Sequence, residues 1–461
     1  MLTKVIGIFL VPLYTRLLTP ADYGSLNLVN STFYFIIVIA VFALDSASAR
    51  WFYDTHDIED RKKTISSWFW FQMIASVVFA FIIILGSSFF SRIILNETKP
   101  LLFIIPALGL LANVLPGMVT NWLRFQRKAI HTVIFTVSNV LLNIGLNILF
   151  VLYLKWGVMG VLAALLISNA VASIYVLALM IEWIKPQYFS MIRLKEMLKY
   201  AMPLIPTSIA FWIMNSSSSF IIEHFHGKSE VGLYSIGAML ASAVTMVVGA
   251  FQMAWGPFAF SIIDKPEAKQ TYSFVLTIYS MVMCFVALVV ALFAKEGLMI
   301  FTTKEYQVAF LVAGILAFNG IIYGYAYIAT VGTSIVKDNK PLAIAVLVAA
   351  CITGILYFLL VPYFKKEGAA ISSALGYLFV PIYIFYRAQK VWPIPYKFML
   401  SIVINLSAIF LFITSLFLMN GNLWFGIAIK FILIIIYIIL MFVLLKKYYP
   451  EIKLSKFRTK I

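Results

Sequence analysis

The stretch "TRLLTPADYG", residues 15–24, interrupts two long apolar runs with an arginine, a proline, an aspartate and a glycine. The pattern returns 208 residues later as "EHFHGKSEVG", residues 223–232. In the second copy Glu230 and Gly232 stand at the places of Asp22 and Gly24. The same short polar interruption therefore occurs twice in a chain that is otherwise mostly hydrophobic.

The same offset holds at two further places. It aligns "ILNETKPLLF", residues 94–103, with "TTKEYQVAFL", residues 302–311, and so pairs Glu97 with Glu305. It also pairs Gly160 with Gly368. Chance similarity between apolar segments would not keep acids and glycines in one register. The sequence therefore indicates an internal duplication.

The composition places this duplication in a membrane protein. The chain has 461 residues, of which 63% are hydrophobic and 11% charged, and its mean hydropathy is +1.00. Soluble domains have about 45–50% apolar and about 25% charged residues. Apolar segments of about 20 residues, the length that spans a bilayer as a helix, follow one another along the chain. The period-two alternation of a membrane barrel is missing, so we predict an all-α polytopic membrane protein.

We predict about fourteen transmembrane helices in this chain. Their predicted spans are 2–18, 26–47, 67–90, 101–123, 132–153, 158–183, 200–222, 231–259, 270–294, 306–334, 340–362, 367–387, 398–419 and 423–445. Each repeat holds six helices, an even number, so the two repeats have the same orientation. They form parallel repeats related by an axis along the membrane normal, an arrangement found in transporters. Helices 13 and 14 lie outside the duplication.

These spans predict four regions. Residues 1–184 form an N-terminal six-helix bundle, and residues 200–388 form a C-terminal one. Residues 185–199, in which Met191, Leu194 and Leu198 recur at helical spacing, form a cytoplasmic interfacial helix or an ordinary loop. Residues 389–461 hold the two extra helices and a basic tail. The first repeat has only 23 residues before Gly24, against 33 before Gly232 in the second, so we expect the native start to lie upstream of Met1.

The net charge of +17 comes from 35 basic and 18 acidic residues. With the N-terminus in the cytoplasm, 25 basic residues fall on the inner side and 9 on the outer side. This bias predicts that both termini are cytoplasmic and favours topology over nucleic-acid binding as the reason for the charge. Cys284 and Cys351 both lie in apolar segments and are expected to be packing residues.

Several stretches resemble the polysaccharide-biosynthesis transporters, the Wzx-type O-antigen and capsule flippases, over essentially the whole chain. They are "PLYTRLLTPADYGSLNLV", "LDSASARWFYDTHDIEDRKKT", "KYAMPLIPTSIAF", "SEVGLYSIGAMLAS" and "FQMAWGPFAFS". These transporters share a superfamily with multidrug exporters and lipid II flippases. The resemblance implies two six-helix bundles around a central cavity that opens alternately to either side. It also implies a cargo of undecaprenyl-pyrophosphate-linked oligosaccharide, flipped from the cytoplasmic to the outer leaflet of the inner membrane.

Such a cargo requires a cationic, hydrated cavity, because a charge in hydrocarbon costs at least about 2.5–3.5 kcal/mol. Arg16 and Arg50 are the leading candidates for binding pyrophosphate, since the guanidinium fork donates two hydrogen bonds. They resemble cavity arginines of lipid II flippases in "ARL" and "R-aromatic" contexts. The alternatives are an interfacial anchor snorkelling with Asp22 for Arg16, and a topology-determining charge for Arg50.

Two further sets of polar residues lie within apolar spans. Asp45 is a candidate coupling residue that either takes up a proton or pairs with a basic residue. Asn139, Asn143 and Asn147 form a stripe at i, i+4 and i+8 that either binds sugar hydroxyls or joins helices through hydrogen bonds.

We expect no metal and no cofactor, because His224 and His226 point to different faces of a helix and no third ligand is near. Coupling to a proton or sodium gradient is an open possibility. The expected partners are a lipid-linked oligosaccharide, membrane lipid and components of a polysaccharide polymerase or ligase, without nucleic acid. The alternatives are a lipid II flippase, a multidrug exporter or a membrane polysaccharide polymerase or ligase. The short outward connections disfavour the last, since they leave no room for a catalytic loop.

Overall fold

The computed structural model describes residues 2–335, 340–418 and 423–450, and these residues form helices joined by short connections, with no strand among them. The first ten α-helices are α1 (Leu2–Leu17), α2 (Pro20–Val41), α3 (Leu44–Asp54), α4 (Ile58–Leu85), α5 (Ser87–Leu95), α6 (Leu101–Leu108), α7 (Leu110–Phe125), α8 (Ala129–Asn147), α9 (Gly157–Met180) and α10 (Met191–Ala201). The others are α11 (Ile205–Ser216), α12 (Ser218–His226), α13 (Lys228–Ser261), α14 (Ala268–Leu292), α15 (Ala294–Phe301), α16 (Phe310–Ile335), α17 (Lys340–Val391), α18 (Phe398–Leu418) and α19 (Leu423–Tyr448). A π-helix covers Ile148–Tyr153, and short 3-10 helices cover Pro186–Tyr188, Met202–Leu204 and Lys304–Ala309.

Twelve helical segments among the described residues are long and apolar enough to cross a membrane. One of them, α17, has 52 residues, which at 1.5 Å per residue is far longer than the roughly 30 Å hydrocarbon core. Its backbone leaves helical geometry at Lys365, where φ is 49° and ψ is −133°, and this break divides α17 into two spans. With α1, which has 16 residues, these segments agree with the prediction of about fourteen helices. The prediction of an all-α, multi-span membrane protein is confirmed.

The described chain divides into two compact units by its internal contacts. The first unit comprises Met1–Ile236, Phe301–Tyr306 and Ala343–Gly376. One of its cores packs α3, α4, α7 and α10 around the fully buried side chains of Ile65, Trp68 and Met197. The predicted bundles at 1–184 and 200–388 stay a prediction, and the basic tail from residue 451 lies outside the described residues.

The second unit comprises Gly237–Ile300, Gln307–Leu342 and Tyr377–Ile461. Its core forms where α14 packs against α16 and α18. Within this unit Lys430 of α19 is 0% exposed and donates hydrogen bonds of 2.6 Å to both carboxylate oxygens of Glu296 in α15. A buried charge is tolerated only when it is paired in this way. This pair joins α19 to the rest of the unit.

The opening motif is built as a helix start. Thr19 caps α2: its hydroxyl accepts from the Asp22 backbone N–H, and the Asp22 carboxylate accepts from the Thr19 backbone N–H. This reciprocal pattern is a capping box. Pro20 occupies the first helical position, where its missing N–H costs nothing. The polar residues of the motif therefore fix where α2 begins.

Gly24 and Gly232, the two glycines related by the 208-residue offset, lie against each other within the first unit. A Cβ on Gly24 would overlap the Lys228 carbonyl group and lie 3.2 Å from the Gly232 nitrogen. A Cβ on Gly232 would overlap the Pro20 carbonyl group and lie 3.1 Å from the Gly24 nitrogen. Lys228 is itself the repeat partner of Pro20. The contact is reciprocal, as a two-fold relation between the repeats requires.

The third repeated position behaves in the same way. A Cβ on Gly160 would lie 3.2 Å from the Cβ of Trp156, and one on Gly368 would lie 3.0 Å from the Cβ of Phe364, its repeat equivalent. Both glycines also lie close to a backbone carbonyl of the preceding helical segment. Each marks a tight reversal between two helices. The duplication found in the sequence is therefore also present in the packing.

Residues 185–199 contain the predicted short helix, which is α10, with Ser190 as its N-cap. The residues that it buries are Leu194, Met197 and Ala201, whereas Met191 is exposed. The predicted face is therefore rotated toward Met197. Arg193 anchors the helix through a 2.6 Å bond to Asp60 of α4.

We predict that Gly24→Ala lowers the thermal stability of the detergent-purified protein, because its methyl group would overlap the Lys228 carbonyl. Overpacking of this kind costs about 1–3 kcal/mol. The matched control is Gly145→Ala in α8, where a Cβ would meet nothing within 4 Å and helix propensity favours alanine by about 1 kcal/mol. Unfolding followed by tryptophan fluorescence checks this. Equal melting temperatures for the two variants would contradict the tight crossing.

We predict that Lys430→Met destabilises the protein by about 3–5 kcal/mol, the usual cost of leaving one buried charge without its partner. The double variant Lys430→Met with Glu296→Leu should recover most of this loss, because it removes both charges. The same thermal measurement checks both. If the single and double variants melt alike, the pair does not carry the packing of α19.

Candidate functional site

Arg16, at the end of α1, lies beside a cavity of about 590 Å³ in the first unit. The other described residues that line it are apolar and come from α1, α8 and the π-helix: Leu10, Pro12, Leu13, Leu17, Ile144, Ile148 and Leu152. The Arg16 side chain is exposed and makes no ion pair or hydrogen bond with any described residue. Asp22 does not pair with it, since the Asp22 carboxylate accepts a 2.7 Å bond from the Thr19 hydroxyl. The guanidinium is therefore available to an anion.

Arg50, in α3, is also exposed but has partners. Its guanidinium lies 3.8 Å from the Asp54 carboxylate and 4.9 Å from the ring centre of Tyr200 in α10. An exposed pair of this kind contributes little, about 0–1 kcal/mol, so an incoming phosphate could replace Asp54 at small cost. Anion binding and a topology-determining role both stay open for Arg50.

The structure does not bring the two arginines together. Arg16 precedes α2 and Arg50 follows it, and this helix has 22 residues. At 1.5 Å per residue α2 is about 33 Å long. A single pyrophosphate therefore cannot contact both guanidinium groups in this conformation, and the two arginines are separate candidate sites.

Asp45 lies directly after a break in the second span. Phe42 and Ala43 have φ values of 56° and 52°, so two consecutive residues without the freedom of glycine adopt the left-handed region. Each costs roughly 1–2 kcal/mol, and strained backbone of this kind concentrates at functional sites. Asp45 then occupies the first turn of α3, where the helix dipole favours a negative charge. The sequence did not indicate this break.

A buried polar stripe on α4 lies on the same side as Asp45. Gln72, the neighbouring polar side chain of Asp45, is 1% exposed, and Ser76 follows one turn later. The Gln72 amide faces the Asp45 carboxylate, whereas the Ser76 hydroxyl and the Trp68 indole, one turn to either side of Gln72, have no hydrogen-bond partner among the described residues. Unpartnered buried polar atoms are unusual and call for an explanation. These three residues recur at four-residue spacing within an apolar span, which is a sequence signal for a polar stripe on one helix face.

The asparagine stripe of α8 makes hydrogen bonds between helices. Asn139 donates to Asn169 of α9 at 3.0 Å, and Asn143 donates to Ser168 at 3.0 Å. Asn147 donates to Asn143 and accepts a 2.7 Å bond from the Tyr14 hydroxyl of α1. Asn169 continues the network to Asn113 of α7. These contacts favour the packing alternative, and sugar binding by the stripe stays a prediction.

Two charged clusters flank the crossing of α2 and α13. Lys228 and Lys99 both form ion pairs with Glu97, which lies in a connection outside the spans. These two ammonium groups lower the pKa of Glu97. The pair is therefore fully formed above the ordinary carboxyl pKa and is lost as the pH falls through the lowered value.

The second cluster begins two residues further along α13, at Glu230. Lys366 of α17 lies 3.0 Å from Glu230 and 3.3 Å from Glu367. Lys366 is mostly buried, so these contacts are screened less than those of exposed charges.

One of the two histidines of the repeat contacts a backbone carbonyl. The Nε2 atom of His226 lies 2.9 Å from the Val361 carbonyl oxygen. No group of three or more potential ligands occurs among the described residues.

Comparison with known proteins supplies the family. A model of the family described as "Polysaccharide biosynthesis protein" matches residues 1–263, more than half of the chain. No curated protein matches the chain. The prediction made from the sequence stretches quoted above is thereby confirmed at the level of the family.

Solved structures with a similar fold are transporters. "Lipid II flippase MurJ, inward closed conformation" matches with a TM-score of 0.76 and 13% identity, covering 98% of this chain and 97% of that one. "Inward-facing conformation of a multidrug resistance MATE family transporter of the MOP superfamily" matches with a TM-score of 0.66 and 18% identity, covering 84% and 94%. A MOP superfamily transporter from Pyrococcus furiosus Vc1 matches with a TM-score of 0.59 and 18% identity, covering 84% and 92%. The chain therefore belongs to the polysaccharide biosynthesis protein family and has the transporter fold of the MurJ and MATE structures.

Proposed function

We propose that this chain flips an undecaprenyl-pyrophosphate-linked oligosaccharide from the cytoplasmic to the outer leaflet of the inner membrane by alternating access. The cargo would supply a cell-surface polysaccharide such as O-antigen, capsule or exopolysaccharide. The chain would act as a transporter and not as an enzyme. The observation that carries the proposal is the match to the polysaccharide biosynthesis family over residues 1–263, supported by the fold shared with a lipid II flippase.

The two arginines suit successive binding of one pyrophosphate. With cytoplasmic termini, Arg50 lies toward the inner end of the second span and Arg16 toward the outer end of the first. Because α2 separates them by about 33 Å, Arg50 would receive the pyrophosphate and Arg16 would hold it before release. Each guanidinium can donate two hydrogen bonds to phosphate oxygens.

The crossing of Gly24 and Gly232 would close the outer side in this conformation. The flanking pairs of Lys228 with Glu97 and of Lys366 with Glu230 hold α13 in place. For cargo to leave outward, this contact must separate. A backbone contact of this closeness is either formed or broken, which suits a transporter with two discrete states.

Asp45 is the proposed coupling residue. Its position after the strained Phe42–Ala43 break resembles the interrupted helices at which transporters bind ions. The neighbouring Gln72 and Ser76 supply oxygen atoms without partners among the described residues. Inward movement of a proton or a sodium ion through this region would reset the transporter.

The MurJ likeness keeps a lipid II cargo as the second candidate, since it requires the same lipid and pyrophosphate chemistry. A multidrug exporter is less favoured, because Arg16 would repel cationic drugs. Identifying the lipid that accumulates in a deletion strain separates these cargoes.

We predict that deleting the gene in its host causes undecaprenyl-pyrophosphate oligosaccharide to build up on the inner leaflet. Wild type should relieve the build-up, whereas Arg16→Ala should reduce the flipping rate by at least about tenfold, because a hydrogen bond to a charged group contributes about 1.5–3 kcal/mol. Mass spectrometry of extracted lipids, with equal expression of each variant, measures this.

Lys195→Ala, an exposed charge on α10, is the control and should behave as wild type. Relief by Arg16→Ala at the wild-type rate would remove Arg16 from the site. Fully exported oligosaccharide in the deletion strain, unpolymerised or unligated, would favour a polymerase or ligase instead.

We predict that joining Glu97→Cys to Lys228→Cys with a short bifunctional thiol reagent arrests transport, and that a reductant-cleavable linker restores it. The experiment uses a Cys351→Ser background, because Cys351 is exposed while Cys284 is buried. Flipping in liposomes is compared between cross-linked samples before and after the linker is cleaved by reductant.

The control pair is Glu182→Cys with Lys185→Cys, which replaces an ion pair of 2.8 Å between residues three apart in sequence. Its cross-link should leave transport unchanged. Full transport with the Glu97–Lys228 cross-link in place would contradict opening at this crossing.

A further inference from the structure

The cavity beside Arg16 has the form of a groove between two helices, here named the α1–α8 groove. Leu10, Pro12, Leu13, Arg16 and Leu17 form one wall, and Ile144, Ile148 and Leu152 form the other. Its volume of about 590 Å³ lies in the range of ligand pockets. Along α1 the groove runs from Leu10 to Leu17, about 10 Å. Among the described residues that line it, Arg16 is polar and the others are apolar.

Specific contacts hold the groove open. The Tyr14 hydroxyl donates a 2.7 Å bond to Asn147, and this bond joins the two walls beneath the groove. After Asn147 the chain adopts a π-helix, Ile148–Tyr153, a geometry that often occurs at functional sites. Phe150 turns away and stacks on Trp156, with ring centres 4.9 Å apart and planes at 9°. Ile148 and Leu152 are left to line the groove.

The charge at the groove's end selects an anion. Arg16 lines it, and none of its lining residues is acidic. Asp22 is engaged by Thr19 in the cap of α2. A second basic residue, Lys155, is exposed two positions before Gly157, where a Cβ would lie 3.9 Å from the Leu18 side chain. Arg16 therefore makes this end of the groove basic.

We propose that the α1–α8 groove binds the first isoprene units of a polyprenyl pyrophosphate, with Arg16 contacting the pyrophosphate. A soluble anion would make no favourable contact with the seven apolar lining residues, and an uncharged lipid would make none with the Arg16 guanidinium. A volume of about 590 Å³ suits part of one chain better than the two chains of a glycerophospholipid. The proposal rests on the proposed function for its choice of lipid.

Binding to the purified full-length chain in detergent tests the groove, with undecaprenyl pyrophosphate, inorganic pyrophosphate and dioleoylphosphatidylglycerol as probes. Ile148→Trp fills the groove, and Leu152→Trp replaces it if the first variant does not fold. Arg16→Gln removes the charge. Ile174→Trp, at an exposed position of α9 outside the groove, is the matched control. Native mass spectrometry gives the affinities, and thermal unfolding without lipid confirms that each variant is folded.

We expect Ile148→Trp to bind undecaprenyl pyrophosphate about tenfold more weakly, the change expected when about two methylenes lose their burial, and to bind inorganic pyrophosphate as wild type does. Arg16→Gln should weaken the binding of both undecaprenyl pyrophosphate and inorganic pyrophosphate about fivefold. Ile174→Trp should leave both affinities unchanged. Undiminished binding of undecaprenyl pyrophosphate by both groove variants would overturn the proposal. Equal affinity for dioleoylphosphatidylglycerol would also overturn it, by assigning the groove to bulk membrane lipid.

A flipping assay on wild type separates this proposal from the proposed function. Flipping that persists unchanged in Ile148→Trp, together with unchanged binding, would overturn the groove and leave the flippase in place. If binding depends on the groove but wild type flips nothing, the proposed flippase function is overturned and the groove as a lipid site is kept.

Discussion

The close contact between Gly24 and Gly232 is the constraint on which the first unit depends. Two helix starts related by the internal duplication meet there, backbone against backbone, and neither position has room for a side chain. The capping box at Thr19 fixes where α2 begins, and so places Gly24 at the contact. The ion pairs of Lys228 and Lys366 then hold α13 beside it. The contact is symmetric because each repeat supplies one of the two glycines.

Much of this architecture could be predicted from the sequence, because hydrophobic length and the register of glycines and acids are strong signals. The spans, the duplication and the family were all accessible in this way. The break at Phe42 and Ala43 was not, since both residues normally continue a helix and only tertiary contacts hold them in the left-handed region. The separation of Arg16 from Arg50 was available from the length of the span between them. The two arginines lie at opposite ends of α2, so they cannot contact one pyrophosphate at the same time in this conformation.

The candidate site also shows how polar residues in a membrane protein divide their roles. The asparagines of α8 form hydrogen bonds with α9 and with Tyr14 of α1, so they hold these N-terminal helices together. Arg16 and the α4 stripe of Gln72 and Ser76 are two of the places where polar atoms lack partners among the described residues. The first lies at the end of an apolar groove and the second beside an acid. An anionic lipid and a small cation are the ligands whose chemistry these two places fit.

Flipping by the purified protein in liposomes is the decisive measurement of whether the chain moves a lipid-linked glycan across a membrane. An undecaprenyl-pyrophosphate oligosaccharide is placed in the inner leaflet, and an added lectin or glycosidase reports its arrival outside. We expect that wild type exposes the glycan far faster than empty liposomes do, and that undecaprenyl-free glycan is not moved. Exposure at the rate of empty liposomes, with folded protein present and an ion gradient imposed in either direction, would contradict it.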